Sequence, residues 1–319
     1  MSERTNFGSR IGVVLATAGS AVGLGNVWRF PYMVGNDGGA AFILIYIGCV
    51  LFLGIPGMIA EFSVGRNSAA NAARSYRKLA HKPYWGVIGY MGVFTSLIIL
   101  GFYSVVAGWC LHYFFASVAE QLQGDKDYII KYFNDFSSEA IRPSLMAVIF
   151  ILLTHYIVSH GIRQGIEKAS KMLMPTLFIL LIIIVVASCS LPGAWAGVEF
   201  LFKPDFTKLS HSVFLDALGQ AFFSLSLGTA CLCTYASYFN RNTDLGKAAV
   251  SIAFIDVLVA VLAGLMIFPA AFSVGVSPDQ GPSLIFITLP NVFMQAFFGL
   301  PALGYVISVL FYALMSLAA

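Results

Sequence analysis

The side chains that could do chemistry in this chain are few, and most of them lie inside long apolar stretches. Asn26 and Arg29 directly follow three closely spaced glycines, Gly19, Gly23 and Gly25. Glycine weakens a helix, and polar groups freed at membrane depth need protein, water or a solute as partners. We therefore predict an interrupted helix here that builds a solute site. The alternative is a glycine-rich packing face with Arg29 reaching one membrane surface.

A second polar group lies in the middle of a later apolar segment and comprises Gln220, Ser224, Ser226, Gly228 and Thr229. Serine and threonine hydroxyls can bond back to the preceding helical turn, so these residues alone leave a purely structural interpretation open. Two interrupted helices in one chain favour an inverted repeat instead. In such folds the half-helix ends face substrate and coupling ions near the bilayer midplane.

Asp256 stands alone as an acid in the middle of the next apolar segment. A bare carboxylate at that depth is unfavourable unless a cation or hydrogen-bond donor compensates for it. The sequence therefore predicts either an ion ligand or a protonated, hydrogen-bonded structural acid.

The elements that must position these groups are about eight apolar segments. Hydrophobic residues make up 59% of the chain and charged residues 10%, and the mean hydropathy is +0.84. Soluble domains carry roughly 25% charge, so an all-α, polytopic membrane protein is indicated. The predicted segments cover residues 11–33, 40–64, 84–118, 143–160, 172–190, 212–239, 246–273 and 300 onward. The predicted division is a first five-helix repeat at 1–190 and an incomplete second repeat at 191–319.

Basic residues predict the orientation, because cytoplasmic loops collect Lys and Arg. With the N-terminus cytoplasmic, twelve fall inside and five outside. The inner set is Arg4, Arg10, Arg66, Arg74, Arg77, Lys78, Lys82, Arg163, Lys168, Lys171, Arg241 and Lys247. The outer set is Lys126, Lys131, Arg142, Lys203 and Lys208. We expect a multi-pass protein of the cell (inner) membrane in contact with the lipid bilayer.

The sequence holds no nucleophile–base pair, metal-ligand spacing or phosphate loop, so it predicts no enzyme, no cofactor and no nucleic-acid partner. Its five cysteines, Cys49, Cys110, Cys189, Cys231 and Cys233, lie mostly in apolar segments and are expected as buried free thiols.

Several motifs occur in one order along the chain. They read GSAVGLGNVWRFP at 19–31, GIRQGIEK at 161–168, MPTLF at 174–178, FFSLSLG at 222–228 and TYASY at 234–238. With these motifs the chain resembles the neurotransmitter:sodium symporter family over essentially its whole length. The resemblance implies an inverted-repeat helical bundle with discontinuous first and sixth helices, and Na⁺-driven uptake of an amino acid or related amine.

By position, the resemblance implies two sodium sites, and oxygen ligands suit this hard cation. The first site would use the Ala21 carbonyl, Asn26, Ser224 and Asp256, together with the substrate carboxylate. The second would use the carbonyls of Gly19, Val22 and Ala318, completed in the family by a Thr-Ser pair that follows the position where this chain ends. The family continues with further helices there, so the chain resembles a C-terminally truncated member.

The resemblance also implies a substrate site between the two interruptions. The backbone N–H groups of Leu24 and Gly25 and the Tyr103 hydroxyl would bind the substrate carboxylate. Carbonyls near Ala21, Phe223 and Ser224 would bind its ammonium group. The side-chain pocket would be lined by Ile99, Phe223, Ser226 and Thr229. Because Thr229 replaces a residue that is often bulkier, we expect an apolar or aromatic amino acid as substrate.

The family match assigns gating roles to Arg29 at the outer side and to Arg4 and Tyr238 at the inner side. The acid that pairs with Arg29 lies on a later helix in the family, so we expect Arg29 to lack a partner here. Glu61 is expected as a buried, hydrogen-bonded acid that supports the broken first helix.

The resemblance implies that chloride-dependent members of the family have an asparagine at the position of Asp256 and bind a Cl⁻ nearby. The chloride-contact positions here are Tyr46, Gln220 and Ser224, whereas Ala260 offers no polar atom. The carboxylate could supply the same charge, so we expect chloride-independent Na⁺ binding, with a proton replacing sodium on the return step.

Two functional hypotheses remain open. The first is a Na⁺-coupled amino-acid symporter working by alternating access. The second is a truncated, non-transporting membrane protein that binds solute weakly or acts as an interaction partner.

Overall fold

A computed structural model describes residues 17, 19, 22–160, 168–276, 283–297 and 299–319 of the chain. Long uninterrupted apolar runs produce the long helices. In the described residues, six helices are long and apolar enough to cross a membrane. They are Ala40–Ser68, Pro83–Val118, Ile141–Ser159, Ser170–Cys189, Leu245–Ser273 and Pro301–Ala318. These correspond to the second, third, fourth, fifth, seventh and eighth predicted segments. The first and sixth predicted segments fall on interrupted stretches, and most of the first lies outside the described residues.

We number the α-helices in chain order. They are α1 Phe30–Asn36, α2 Ala40–Cys49, α3 Ile55–Ser68, α4 Ala72–Ala80, α5 Gly86–Val118, α6 Lys126–Ser138, α7 Ile141–Ser159, α8 Lys168–Cys189, α9 Ala194–Phe202, α10 His211–Ser224, α11 Cys231–Ala236, α12 Leu245–Ser273, α13 Ser283–Gln295 and α14 Pro301–Ala318. There are also two π-helical segments among the described residues. Gly25–Arg29 leads into α1, and Val50–Gly54 joins α2 to α3.

Polar caps mark where several helices begin. The Ser210 hydroxyl accepts a hydrogen bond from Val213 N at the start of α10, and Asp244 accepts one from Lys247 N at the start of α12. Such caps satisfy backbone N–H groups that have no partner within the helix. They fix the register in which α10 and α12 present Ser224 and Asp256.

The buried side chains form two clusters that share one helix. The first cluster packs α5, α8, α13 and α14 against α12 through residues such as Ile184, Met266 and Tyr312. The second packs α1, α2, α3, α10 and α11 against α12 through residues such as Phe30 and Ala260. Helix α12 therefore links the two clusters, and Asp256, which lies on it, is fully buried.

Short helices cover the ends of the long ones. The connections after α5, α8 and α12 carry α6, α9 and α13, whereas α4 lies in the connection between α3 and α5. Chain alternation through the long helices therefore places α6, α9 and α13 at one end and α4 at the opposite end.

Candidate functional site

The first helix is interrupted just before Leu24, as the glycine spacing predicts. Val22 and Gly23 form a bend, and the Gly23 carbonyl accepts hydrogen bonds from the backbone N–H groups of Asn26 and Val27, both at 3.2 Å. The Asn26 side chain accepts a hydrogen bond from Gly23 N at 3.4 Å. These contacts satisfy part of the backbone freed by the interruption, as hydrocarbon surroundings require.

The sixth helix is interrupted between α10 and α11. Ser226, Gly228 and Ala230 adopt positive φ values of 56°, 75° and 63°. This left-handed conformation is unfavourable for residues other than glycine. It therefore ends the α-helical ladder and exposes backbone groups at the level where α10 stops.

Neighbouring helices satisfy the polar groups of this second interruption. The Glu61 carboxylate, on α3, accepts a hydrogen bond from Gly228 N at 2.7 Å. The Ser96 hydroxyl, on α5, donates to the Thr229 carbonyl at 2.5 Å. Glu61 is thus a hydrogen-bonded structural acid, as predicted. This bond supports the interruption of the sixth helix, whereas part of the first interruption, which the prediction named, lies outside the described residues.

Asp256 accepts hydrogen bonds from three different helical segments. The Asn26 amide donates to Oδ1 at 2.8 Å and to the Asp256 carbonyl at 2.9 Å. The Ser224 hydroxyl donates to Oδ1 at 2.8 Å and to Oδ2 at 3.0 Å. Tyr46 Oη donates to Oδ2 at 2.9 Å. All four side chains are almost fully buried. The carboxylate thereby joins both interruptions to α2 and α12.

This arrangement brings together Asn26, Ser224 and Asp256, which were predicted for the first sodium site. Ala21, the remaining predicted ligand, lies outside the described residues. In the part of the chain that the structure describes, no Lys or Arg forms an ion pair with Asp256. Only neutral donors therefore contact its carboxyl group, at a depth where an uncompensated charge would be unfavourable.

The residues predicted for the second sodium site also lie near one another. A Cβ atom placed on Gly23 would lie 3.0 Å from the Ala318 carbonyl oxygen, so the end of α14 reaches the first interruption. Gly19 and Ala318 line the same cavity, and Val22 belongs to the buried cluster against which Ala318 packs.

A cavity of about 250 Å³ lies between the two interruptions. Seven of the predicted substrate residues line it, namely Gly25, Ile99, Tyr103, Phe223, Ser224, Ser226 and Thr229. Leu24 is fully buried and does not line the cavity, although its backbone N–H was the predicted contact. The Tyr103 hydroxyl lies 3.3 Å from the position that a Cβ on Gly23 would occupy, so it reaches the first interruption.

Five cavity-lining residues were not among the predicted site residues, namely Gly23, Ser96, Leu100, Cys231 and Ala319. Ser96 and Leu100 could have been identified from Ile99 and Tyr103, because residues three, four and seven positions apart share one helix face. Cys231 follows the left-handed Ala230 directly, and no sequence pattern announces which way its side chain points.

The cavity wall contains no charged side chain among the described residues that line it. Two of its hydroxyls are directed at backbone carbonyls, because Thr229 Oγ1 donates to Ser226 O at 2.7 Å and Ser96 donates to Thr229 O. Ile99, Leu100 and Phe223 supply the apolar part of the wall. The cavity can therefore accept an uncharged group of small to moderate size.

Arg29 is half-buried beside this cavity and has partners within the chain. Its Nη1 donates to Gln220 Oε1 at 2.5 Å, and its guanidinium carbon lies 4.6 Å from the centroid of the Phe223 ring. The expectation that Arg29 lacks a partner is therefore wrong, because an amide oxygen and an aromatic face replace the acid. Gln220 also donates to the Gly25 carbonyl at 3.3 Å, which ties Arg29 to the first interruption.

Tyr238, the predicted inner-gate residue, is half-buried just beyond α11 and packs against the second cluster. Arg4, its predicted companion, lies outside the described residues. Of the five cysteines, Cys49, Cys110 and Cys233 are buried, Cys231 is half-buried and Cys189 is exposed on the apolar surface.

Comparison with known proteins gives one consistent result. The model of the sodium:neurotransmitter symporter family matches residues 4–135 and 137–319. The uncharacterized sodium-dependent transporter YhdH of Bacillus subtilis is 41% identical over 99% of this chain and 71% of its own length. An uncharacterized sodium-dependent transporter of Haemophilus influenzae is 36% identical over the same shares of the two chains.

A solved structure shows the same fold. The crystal structure of MhsT in complex with L-phenylalanine superimposes with a TM-score of 0.92 at 43% identity, and the match covers 99% of this chain and 71% of MhsT. The fold is therefore that of a multi-pass, all-helical membrane transporter. With the family model matching nearly every residue, the chain belongs to the sodium:neurotransmitter symporter family, whose members are sodium-dependent transporters.

Proposed function

We propose that this chain binds a neutral amino acid with an apolar or aromatic side chain and couples its import to Na⁺. The observation that carries the proposal is the Asp256 cluster, which lies next to an uncharged cavity of about 250 Å³ between two interrupted helices. MhsT, which is similar over nearly the whole chain, was solved with L-phenylalanine bound. We expect a comparable ligand here.

The first sodium ion would be held by oxygens of Asn26, Ser224 and Asp256, with the Ala21 carbonyl. Neutral side chains donate hydrogen bonds to the Asp256 carboxylate but would leave a negative charge uncompensated. A monovalent cation would compensate for that charge. The carbonyls of Gly19, Val22 and Ala318 would hold the second ion.

The substrate carboxylate would bind at the backbone N–H groups of Leu24 and Gly25. These groups lie at the start of the helical segment Gly25–Arg29, where the helix dipole favours negative charge. The Tyr103 hydroxyl, which lies beside the first interruption, would donate a hydrogen bond to the same carboxylate. Arg29 and Tyr238, with Arg4, would close the site from its two sides.

The direct test is binding of radiolabelled L-phenylalanine to the purified chain in NaCl and in KCl. We expect saturable binding in NaCl that falls at least tenfold in KCl. Tyr103→Phe should weaken it by at least about tenfold, because one hydrogen bond to a charged group contributes roughly 1.5–3 kcal/mol. The matched control is Tyr84→Phe, since Tyr84 is exposed and distant from the cavity. Equal binding in the two salts would contradict sodium coupling.

Competition by unlabelled amino acids tests the substrate class. We expect apolar and aromatic amino acids to displace the label better than glycine, glutamate or lysine, because no charged side chain lines the described cavity wall. A preference for glycine or for an acidic amino acid would overturn this part of the proposal. Uptake into proteoliposomes under an inward Na⁺ gradient then separates a transporter from a protein that binds solute without moving it.

We further propose that Na⁺ binding does not require chloride, with a proton replacing sodium on the return step. The support is the fixed carboxylate of Asp256, which accepts hydrogen bonds from Tyr46 and Ser224, while the neighbouring Ala260 is buried and apolar. Replacing chloride with gluconate should leave Na⁺-dependent binding unchanged in the natural chain. Asp256→Asn should lose that binding in gluconate, whereas Asp216→Asn, outside the cluster, should retain it. Loss of binding by the natural chain in gluconate would contradict the idea.

A further inference from the structure

Helix α4 occupies the connection between two membrane spans. It follows Ala40–Ser68 and precedes Pro83–Val118, so its nine residues lie where the apolar spans meet water. Asn71 caps it by accepting a hydrogen bond from Arg74 N at 3.1 Å. Ala72 and Ser75 are buried, and the missing side chain of Gly89 leaves room for the Ala72 backbone against α5. The helix therefore lies flat against the first turns of α5.

The opposite side of α4 carries cations at helical spacing. Arg74, Arg77 and Lys78 fall at positions i, i+3 and i+4, and Lys82 follows the helix; all four are exposed. We call these four residues the α4 basic face. The sequence contains no Asp or Glu from residue 62 to residue 119. No acidic residue close in the sequence therefore balances the positive charge of this face.

The cations of the α4 basic face differ in whether they contact another group of the protein. Lys78 Nζ donates to the Ser68 carbonyl at 2.6 Å and so closes the end of α3. Among the described residues, no carboxylate pairs with Arg74, Arg77 or Lys82. At the other end of the molecule, Arg142 pairs with Glu139 and Lys203 with Glu199.

Exposed apolar and aromatic side chains adjoin the α4 basic face. Leu79 is 41% exposed, Tyr84 61% and Trp85 43%. Lys82 Nζ lies 5.9 Å from the centroid of the Tyr84 ring. Tryptophan and tyrosine are enriched at the headgroup level of membranes. A helix with one buried side, cations on the other and aromatic groups beside it has the pattern of an interfacial segment that meets anionic lipid.

We propose that the α4 basic face binds the phosphate headgroup of an anionic glycerophospholipid of the surrounding leaflet. The guanidinium groups of Arg74 and Arg77 would hold phosphate oxygens by paired hydrogen bonds, and Lys82 would add a further positive charge. Leu79, Tyr84 and Trp85 would lie against the glycerol and upper acyl region. The site is separate from the cavity between the interrupted helices and does not depend on the proposed substrate.

The test measures phosphatidylglycerol and phosphatidylcholine binding to the detergent-purified chain by native mass spectrometry. We expect preferential binding of phosphatidylglycerol. The variant Arg74→Gln, Arg77→Gln, Lys82→Gln should lose about fivefold in affinity for each cation removed, the effect of one Lys or Arg near an anionic surface. The matched control, Lys126→Gln, Lys131→Gln, Lys203→Gln, removes the same charge at the other end and should bind phosphatidylglycerol as the natural chain does.

Two further measurements decide the remaining outcomes. The charge-preserving variant Arg74→Lys, Arg77→Lys, Lys82→Arg should keep most of the binding, which shows that the Gln variant lost charge and not its fold. Millimolar inorganic phosphate should not displace the lipid. Equal loss in the control triple variant, equal binding of phosphatidylcholine, or displacement by inorganic phosphate alone would each overturn the proposal.

Discussion

At the scale of single residues, two buried acids, Asp37 and Asp256, and the half-buried Glu61 differ in how their carboxylates are satisfied. Asp256 accepts from three side chains, and Glu61 accepts from a backbone N–H group. Asp37, in the turn after α1, is only 7% exposed, and its Oδ2 atom has no hydrogen-bond partner among the described residues. Asn36 donates to its other oxygen at 3.0 Å. Asp37 therefore shares with Glu61, whose Oε2 atom likewise has no partner among the described residues, a carboxylate that the fold satisfies only in part.

Asp37 leads to a prediction about pH. Burial, together with the nearby Asp216 carboxylate, raises the pKa of Asp37 above its ordinary value. A raised pKa means that the folded state binds this proton more tightly than the unfolded state, so the charged form destabilises the fold at neutral pH and the penalty disappears on acidification. Asp37→Asn should raise the melting temperature at pH 7 by about 2 °C.

Thermal unfolding of the purified chain between pH 7 and about pH 4 would check this, because the ordinary pKa of aspartate lies near 3.9. The difference between Asp37→Asn and the natural chain should narrow as the pH falls. Asp135→Asn, an exposed acid on α6, serves as the control and should show no such trend. A variant that is less stable than the natural chain at pH 7 would refute the explanation.

At the scale of elements, the interruption of the sixth helix fits closely against α5. Ala230 holds φ at 63°, and its Cβ lies 2.7 Å from the position that a Cβ on Gly92 would occupy. The absence of a side chain on Gly92 of α5 therefore leaves room for the Ala230 side chain at the left-handed position of the break. The two positions should be energetically coupled, because each limits the other.

Gly92→Ala should destabilise the chain by about 1–3 kcal/mol, the usual effect of inserting a methyl group into a filled space. The same change should have a smaller effect in an Ala230→Gly background, where the opposing methyl group is absent. Melting temperatures of the natural chain, the two single variants and the double variant form the cycle that measures this coupling. Gly101→Ala on the same helix meets nothing within 4 Å and should be tolerated. Additive effects of the two changes would contradict direct contact.

How far the sequence predicts these elements depends on the kind of signal. Apolar runs such as Ala40–Ser68 and Leu245–Ser273 reveal the spans, because a membrane helix needs an unbroken apolar stretch. Glycine spacing and clustered hydroxyls reveal both interruptions. The partner of Glu61 and the contact of Arg29 with Gln220 and Phe223 could not be predicted, because they depend on how distant helices pack. The sequence periodicity of one helix contains no information about such contacts.

At the scale of the whole molecule, the proposed sodium site would join parts of the chain that are far apart in sequence. Asn26, Ser224 and Asp256 belong to the first, sixth and seventh predicted segments and meet at one carboxylate. A ligand that binds the folded state and not the unfolded chain stabilises the fold by mass action. Sodium should therefore act on global stability as well as on substrate binding.

NaCl should raise the melting temperature relative to an equal concentration of KCl, with a gain of about 2.7 kcal/mol when sodium is present at a hundred times its dissociation constant. Asp256→Asn should reduce the difference between the two salts, and Asp216→Asn should leave it intact. Thermal unfolding of the purified chain at constant ionic strength is the measurement. The same melting temperature in both salts for the natural chain would argue against sodium in this cluster.

The π-helical segment Val50–Gly54 lies at the same level as the interruption of the sixth helix. Gly54 faces the Leu225 side chain, α2 packs along α10, and α3 packs along α11, where Gly65 lies close to the Cys233 backbone. Two adjacent helices thus lose regular geometry side by side. As a mechanical consequence, α2 packed on α10 and α3 packed on α11 form two pairs joined at one level where neither connection is regular α-helix. Bending there would tilt one pair against the other without breaking the packing within either.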